Sequence, residues 1–207
     1  MKVIATSGQK GGCGKTTVAF HLAHYFTDRG QTVGLIDLDP QATATKVAGL
    51  RDADRPHLPV VPATAASLAA TIAEAESDGV DVLVIDCPPH ATAGLAASLR
   101  RADLLLLPFS PTTPDLLTAG TVAELVAEVG KPALAILSRV KARSASAEDA
   151  RRHLEGVGLR VAETQVSDLN DFATALNDGL AVGEFAPKGK AAREIRALGK
   201  EVEALLS

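Results

Sequence analysis

The sequence predicts an α/β protein with a doubly wound, mostly parallel sheet and helices on both of its faces. Two observations support this fold class. Short, continuous apolar runs alternate along the chain with longer stretches of helical periodicity, and such runs are typical of strands that helices cover on both faces. A glycine-rich segment, KGGCGKTT, also separates the first apolar run from the first helical stretch. Strands and helices that alternate in this way form parallel sheets through right-handed crossovers.

Six apolar runs are predicted to be strands, each rich in Val, Ile, Leu or Ala. They lie at residues 3–5, 33–36, 60–61, 80–85, 104–107 and 134–137. Helical patterns are predicted at residues 15–29, 67–77, 91–101, 114–129, 147–154 and 190–206. The polar segment 51–56 is predicted to be an exposed loop.

Composition predicts one cytoplasmic domain that spans residues 1–207. The chain is 46% hydrophobic and long enough to bury a sizeable core as one unit. No stretch approaches the roughly 18 apolar residues of a membrane span, and the first residues read as a strand rather than a signal segment. The formal net charge of −4 gives no chain-wide signal for nucleic acid, so DNA binding requires a local basic patch.

The glycine-rich segment is predicted to bind phosphate. Its glycines allow a tight turn with inward N–H groups, and the next helix directs its positive end at the same point. Lys15 can reach the β and γ phosphates, and the Thr16 hydroxyl is suited to Mg²⁺. Gln9 stands where the ordinary G-x-x-x-x-G-K-[ST] pattern has its first glycine, and a second lysine opens the loop. The predicted nucleotide-binding residues are Lys10, Gly11, Gly12, Cys13, Gly14, Lys15, Thr16 and Thr17.

Three aspartates follow predicted strands and are candidates for chemistry at the phosphate. Asp86 ends an apolar run, where its carboxylate can hold Mg²⁺ directly or through water. Asp37 and Asp39 end another run, and their side chains project from the same face because one residue separates them. The alternatives are a helix cap at Asp86 and turn chemistry before Pro40 for the pair.

Together these segments resemble the motifs of the ParA/MinD family of deviant Walker A ATPases. LIDLDPQATAT at residues 35–45 is similar to the family's second motif, and VLVIDCPP at residues 82–89 is similar to its Walker B strand. LLLLPFSPTTPDL and FAPKGKAAREIRALGKEVEALL match later segments. The resemblance covers almost the whole chain and implies a P-loop NTPase of the short ParA type, without an added N-terminal DNA-binding domain.

The resemblance implies a nucleotide-driven cycle with ATP and Mg²⁺ as its ligands. In the family the extra lysine, here Lys10, reaches across an ATP-sandwiched homodimer to the other subunit's nucleotide. Together with Lys15 it would serve catalysis, while Asp39 would position the attacking water. Thr16 and Asp86 would hold the metal, with Asp37 in its second shell.

The resemblance also implies a cargo-positioning role on the nucleoid. ATP-bound dimers of the family bind DNA nonspecifically, and a ParB-like or adaptor activator protein stimulates hydrolysis to ADP and phosphate. The cargo is a plasmid, a chromosome or a protein assembly, and the sequence does not distinguish between these.

A basic group near the carboxyl end is the predicted DNA contact. Arg196 stands where the family's late motif carries a DNA-contacting arginine. The other members are Lys188, Lys190 and Arg193. Asp168 and Asp171 stand where many relatives have basic residues, which weakens this prediction. The alternative is that these basic residues, and a second basic group within residues 139–152, form the solvated faces of two amphipathic helices.

Three residues in or beside the motifs leave questions open. Ser138 occupies the position after the sixth strand where relatives often have an Asn-Arg pair near the base, so the preference for adenine is open. Cys13 and Cys87 would form a redox gate if they bridged, or they are small residues in a reduced compartment. The second interpretation is favoured, because two cysteines indicate no disulfide framework.

Two other classes of function use a similar loop. The apolar stripe of the last helix could lie on a bilayer, as in a MinD-like membrane-associating regulator. Such a stripe is more often core packing, and the polar face is mixed in sign, so membrane binding is not the favoured interpretation. A metabolic enzyme using the same loop would need a substrate pocket with its own residues, and the sequence indicates none.

Overall fold

Strands and helices alternate along the chain as the apolar runs predict. The computed structural model describes residues 1–55, 57–89, 96, 99–142 and 146–207. The strands are β1 (Lys2–Thr6), β2 (Val33–Asp37), β3 (Val60–Pro62), β4 (Val82–Asp86), β5 (Leu104–Phe109) and β6 (Ala133–Leu137). The helices are α1 (Lys15–Asp28), α2 (Thr43–Ala48), α3 (Leu68–Ser77), α4 (Thr113–Leu116), α5 (Ala119–Val129), α6 (Ser146–Gly156), α7 (Asn170–Asn177), α8 (Val182–Phe185) and α9 (Lys190–Leu206). All six predicted strands are confirmed to within two residues at each end.

The strands form one parallel sheet of order β3-β2-β4-β1-β5-β6. β1, which precedes the glycine-rich loop, lies between β4 and β5. The register pairs Thr6 with Asp86, and Asp86 with Asp37. These three residues therefore lie in one row across the carboxyl ends of their strands, the edge where open parallel sheets bind ligands.

Two apolar cores, one on each face of the sheet, confirm the doubly wound arrangement. On one face α1 packs with α2, α7, α8 and α9. On the other face α3, α5 and α6 pack against the sheet. The interior strands β4 and β5 are buried along their whole length, as continuous apolar runs predict.

The helices depart from prediction in three ways. The stretch predicted at residues 114–129 is two helices, α4 and α5, because the Thr118 hydroxyl donates to the Asp115 carbonyl at the break (2.7 Å). The short helices α2, α7 and α8 were not predicted, since four to eight residues are too few to establish a helical period. Most of the predicted helix 91–101 lies outside the described residues.

The apolar stripe of α9 is core packing. Ile195, Leu198 and Val202 are buried against the same face of the sheet as α1. This face of the helix is therefore not free to lie on a bilayer. Among the residues that the structure describes, no helix has the length and apolar character needed to cross a membrane.

The predicted exposed loop 51–56 begins with a buried residue. The Arg51 guanidinium donates to both carboxylate oxygens of Glu184 and to the carbonyl of Gly179 (3.1 Å). Pro56 lies outside the described residues. The prediction of exposure is thus wrong for Arg51, because its charge is neutralised by a carboxylate that is more than 130 residues away in sequence.

Candidate functional site

The glycine-rich loop connects β1 to the amino terminus of α1. Gly12 and Gly14 have φ angles of 80° and 97°, which residues with a side chain rarely adopt. Lys15, the first residue of α1, is buried, and its Nζ donates to the Lys10 carbonyl (2.9 Å). Lys15 therefore spans the loop, and the helix dipole of α1 points into the same concave space.

A cavity of about 420 Å³ opens beside this loop. One wall is formed by loop and α1 residues, namely Gly11, Gly12, Gly14, Lys15, Thr16, Thr17 and Val18. Asp39, Gln41 and Thr43 lie on a second wall. Ser138, Arg139 and the segment from Val166 to Leu176 contribute further lining residues, among them the apolar Leu169 and Phe172. Such a cavity, polar at the loop and apolar further away, suits a ligand with a phosphate chain and a planar base.

Asp86 lies at the carboxyl end of β4, beside Thr16 of the cavity wall, and fits a magnesium ligand. Thr6 Oγ1 donates to its Oδ1 (3.0 Å), while its Oδ2 is buried without a hydrogen-bond partner among the described residues. Burial raises the pKa of the Asp86 carboxyl to about 6, although the hydroxyls of Thr16 and Thr6 lower it. An unpaired buried carboxylate oxygen next to the Thr16 hydroxyl is a donor set that a hard cation prefers.

Asp37 and Asp39 have different surroundings. Asp37 is buried, and its oxygens accept from the Asp39 N–H (3.1 Å) and from both the N–H and the hydroxyl of Thr45 (2.9 and 3.0 Å). Asp37 therefore holds α2 against the end of β2. Asp39 is half-exposed in the cavity wall, where its Oδ1 accepts from the Gln41 N–H (2.9 Å), and its Oδ2 can accept from a ligand.

Lys10 pairs with α4 and is not among the residues that line the cavity. Its Nζ lies 3.7 Å from Oδ1 of Asp115, and the lysine side chain is 46% exposed whereas the aspartate side chain is 4% exposed. Oδ2 of Asp115 accepts from the Ser110 N–H (2.8 Å). Lys10 is therefore paired within its own chain, with its ammonium group at the protein surface.

Ser138 and the two cysteines are buried around the loop. Ser138 Oγ donates to the Cys13 carbonyl (2.5 Å). Cys13 and Cys87 are free thiols, and burial raises the pKa of both, Cys13 despite the opposing charge of Lys15. Raised thiol pKa values disfavour the reactive thiolate, which agrees with the interpretation of both cysteines as small buried residues.

The predicted DNA-binding residues lie together where α9 begins. All four are exposed, namely Lys188, Lys190, Arg193 and Arg196. The guanidinium groups of Arg193 and Arg196 donate to the carbonyls of Lys188 and Pro187. Lys190 lies 3.5 Å from Glu194.

The structure separates the two aspartates that weaken the DNA prediction. Asp168 pairs with Arg139 in the wall of the cavity (3.7 Å). Asp171 lies beside Gly189, next to the basic group. Of these two aspartates, Asp171 is the one that lies next to the basic group.

Three residues at the site are not predicted by the sequence, namely Thr6, Thr45 and Asp115. Thr6 directly precedes the loop on β1, and its position opposite Asp86 follows only from strand order. Thr45 and Asp115 lie within segments that resemble the ParA/MinD motifs, but single residues in a loop or a short helix carry no periodic signal. Their roles depend on contacts that only the folded chain makes.

Comparison with known proteins agrees with this geometry. A family model described as the CobQ/CobB/MinD/ParA nucleotide binding domain matches residues 4–182. The maintenance of carboxysome distribution protein A of Halothiobacillus neapolitanus is 29% identical over 207 residues, covering 96% of this chain and 95% of that protein. The chromosome-partitioning ATPase Soj of Thermus thermophilus is 54% identical over 48 residues, but these are only 23% of this chain and 19% of Soj.

A solved structure has the same fold. The ATP complex of a McdA variant from Cyanothece superposes with a TM-score of 0.76 at 20% identity. The match covers 100% of this chain and 96% of that one.

Proposed function

Because the chain belongs to the CobQ/CobB/MinD/ParA family of nucleotide-binding domains, we propose that it is a Mg²⁺-dependent ATPase that produces ADP and phosphate. The observation that carries this proposal is that the phosphate loop and Asp39 line one cavity, at the end of the sheet where Asp86 has a buried oxygen without a hydrogen-bond partner among the described residues. The similarity to a carboxysome-distribution protein over almost the whole chain supports a cargo-positioning role for the ATPase.

Each group at the site has a distinct task in this reaction. The loop N–H groups and Lys15 bind and orient the phosphate chain, with the helix dipole of α1 adding to their attraction. Thr16 and Asp86 would hold Mg²⁺, which neutralises charge on the transferring phosphoryl group when it is bound. Asp39, half-exposed in the cavity wall, accepts a hydrogen bond from the attacking water and so orients it. Asp37 acts through α2, because Thr45 occupies one of its oxygens.

The active form in this proposal is a homodimer with ATP between its subunits. The Lys10 ammonium is exposed and makes one ion pair, of 3.7 Å, among the described residues, so it can exchange Asp115 for a phosphate of the facing subunit. A cation delivered in trans to the transferring phosphoryl group stabilises its charge in the way that an arginine finger does. Hydrolysis then removes the ligand that holds the two subunits together.

In this proposal the ATP-bound protein binds DNA without sequence specificity. It therefore acts in the cytoplasm, on the nucleoid. Lys188, Lys190, Arg193 and Arg196 form an exposed basic group at the start of α9, suited to phosphates rather than base edges. A ParB-like or adaptor protein stimulates hydrolysis and releases the ATPase from DNA, which lets a cargo move or be held in place.

Binding to random-sequence duplex DNA across a salt series tests this proposal. We expect tight, salt-sensitive binding with ATP, and weak binding with ADP or without nucleotide. Arg196→Ala and Lys188→Ala should each lower the slope of log K against log salt by about one. Arg160→Ala, which removes an exposed arginine outside the group, is the matched control and should leave the slope unchanged.

Other outcomes would point to other functions. Equal DNA binding in all nucleotide states would contradict the ATP-dependent cycle. Absence of DNA binding combined with ATP-dependent flotation on liposomes would instead support a MinD-like regulator, even though the apolar face of α9 is buried. Phosphoryl transfer to a small molecule in an acceptor screen would indicate a metabolic enzyme.

A further inference from the structure

The residues that follow β6 lie directly against the phosphate loop. Ser138 is buried, and its N–H donates to the Phe109 carbonyl at the end of β5 (2.8 Å). Its hydroxyl donates to the Cys13 carbonyl (2.5 Å). A Cβ placed on Gly14 would lie 3.5 Å from this hydroxyl, so the loop and the strand end are in close contact at a glycine.

Arg139 makes the second contact between this strand end and the loop. Its Nη1 donates to the Gly12 carbonyl (3.1 Å), and its Nε lies 3.7 Å from Oδ1 of Asp168. Arg139 has a φ of 53°, a left-handed conformation that is uncommon for a residue with a side chain and occurs mostly where the surroundings impose it. The guanidinium of Arg139 thus lies against the loop.

Phosphate binding requires a particular orientation of the loop peptides. When successive N–H groups point inward at an anion, the carbonyl oxygens of the same peptide planes point the opposite way. Each outward carbonyl needs a donor, because an unpaired backbone oxygen costs free energy. Without a donor, a peptide next to a glycine can rotate and present its oxygen to the phosphates.

We propose that Ser138 and Arg139 are positioning residues that hold the Cys13 and Gly12 carbonyls turned away from the phosphate chain. This assignment rests on the proposed function, to which it adds two residues that position the phosphate loop. Ser138 then orders the loop, because its one hydroxyl proton is donated to the Cys13 carbonyl. Arg139 adds a positive charge to the same wall of the cavity, with Asp168 fixing its orientation.

Affinity for ATP and for inorganic triphosphate, measured by calorimetry, distinguishes loop ordering from base recognition. Ser138→Ala should lower the affinity for both ligands by the same factor, about tenfold for the loss of one hydrogen bond. Ser138→Thr keeps the hydroxyl and should restore both affinities to within about threefold. Thr27→Ala removes another hydroxyl that donates to a backbone carbonyl, at the far end of α1 (3.1 Å), and should change neither affinity.

Arg139→Ala provides an independent test, since the side chain is 57% exposed and its removal should not prevent folding. This variant too should lower the affinities for ATP and for inorganic triphosphate by the same factor. A loss confined to ATP would overturn the assignment, because it would mean that these residues contact the base. Unchanged affinity in Ser138→Ala would overturn it as well. Wild-type protein that binds neither ligand would overturn the proposed function together with this assignment.

Discussion

Lys10 is the residue on which the dimer proposal depends. In the single chain its ammonium group neutralises Asp115, whose carboxylate is almost completely buried and whose other oxygen is held by the Ser110 N–H. The lysine end of this ion pair is half-exposed, but the Asp115 oxygen that it faces is buried and has no hydrogen-bond partner among the described residues, so moving Lys10 away leaves that oxygen without its counter-charge. Lys10 is held within its own chain by this ion pair, which it has to exchange for a phosphate of the facing subunit.

Lys10→Ala should leave ATP affinity within about twofold of wild type, because the loop contacts at Lys10 use its carbonyl and not its side chain. ATP-dependent dimerisation and hydrolysis should both be lost, since the cation supplied in trans is missing. Sedimentation velocity and phosphate release measure the two effects.

Asp115→Asn serves as the matched variant. It releases Lys10 while keeping an acceptor for the Ser110 N–H, and should tighten ATP-dependent dimerisation by about two- to fivefold. Hydrolysis at the wild-type rate in Lys10→Ala would contradict the role in trans.

At the scale of elements, the contact between α1 and α9 joins the nucleotide site to the basic group. α1 begins at the phosphate loop, and α9 carries Arg193 and Arg196 on its exposed face. The two helices approach closely at Gly199, where an added Cβ would lie 2.4 Å from the ring of Tyr25. Tyr25 in turn donates to Glu203 (3.0 Å), which also pairs with Arg29 (2.7 Å).

Gly199→Ala should lower the free energy of unfolding by about 1–3 kcal/mol, because the methyl group overpacks the helix contact against a ring that is held by a hydrogen bond. Gly120→Ala is the control within α5, where an added Cβ meets nothing within 4 Å. It should stabilise by about 0.5–1 kcal/mol through helix propensity. Urea denaturation measures both changes. Stabilisation by Gly199→Ala would show that α1 and α9 can separate at little cost.

At the scale of the whole molecule, a buried polar cluster connects α1 to α8 and to the segment after α2. It is formed by His21, His24, Arg51 and Glu184. His21 Nδ1 accepts from the Val182 N–H (3.3 Å), and His24 Nδ1 lies 3.6 Å from Glu184. Burial lowers the pKa of His21 to about 3, and it lowers the pKa of His24 to about 4 although Glu184 raises it. Both rings are therefore neutral in the folded protein at neutral pH.

Acid should destabilise the fold through these two histidines. The unfolded chain, with histidine pKa values near 6.5, binds more protons than the folded protein, so the free energy of unfolding falls as pH falls below about 6.5. Each histidine contributes up to about 1.4 kcal/mol per pH unit. In the double variant His21→Gln, His24→Gln the free energy of unfolding should change less with pH between about pH 6.5 and 5. Urea denaturation at each pH measures this change.

Asp86 provides a control of opposite sign. Its raised pKa of about 6 makes the folded protein take up a proton as pH falls, which stabilises the fold in acid relative to the unfolded chain. Asp86→Asn should therefore steepen the loss of stability between about pH 6 and 4. If the free energy of unfolding does not change between pH 7 and 5 in the wild type or in either variant, the histidines are not buried in neutral form.

The strands and the phosphate loop could be predicted because their signals are local. The run before Lys10 and the helical pattern after Thr17 indicate the loop without knowledge of any other segment. Fold class followed from the alternation of such runs, and the structure confirms it. Two aspartates at the ends of β2 and β4 could be placed near the loop because parallel strands end at one edge of the sheet.

The roles of individual side chains could not be predicted in the same way. Sequence alone marked Ser138 as a departure from relatives, whereas in the fold its hydroxyl holds the carbonyl of Cys13. The polar segment 51–56 predicts an exposed loop, whereas the structure pairs Arg51 with Glu184.

The sequence by itself therefore determined the alternating elements, the parallel sheet and the phosphate loop, since periodicity and glycine spacing act over a few neighbouring residues. Only the tertiary structure decided which partners Lys10, Asp37, Arg51 and Ser138 have. For three of these four, the partner is separated by many tens of residues in the chain. Hydrogen bonds and ion pairs form between groups that the fold brings within about 3–4 Å, and no local pattern of residues encodes that distance.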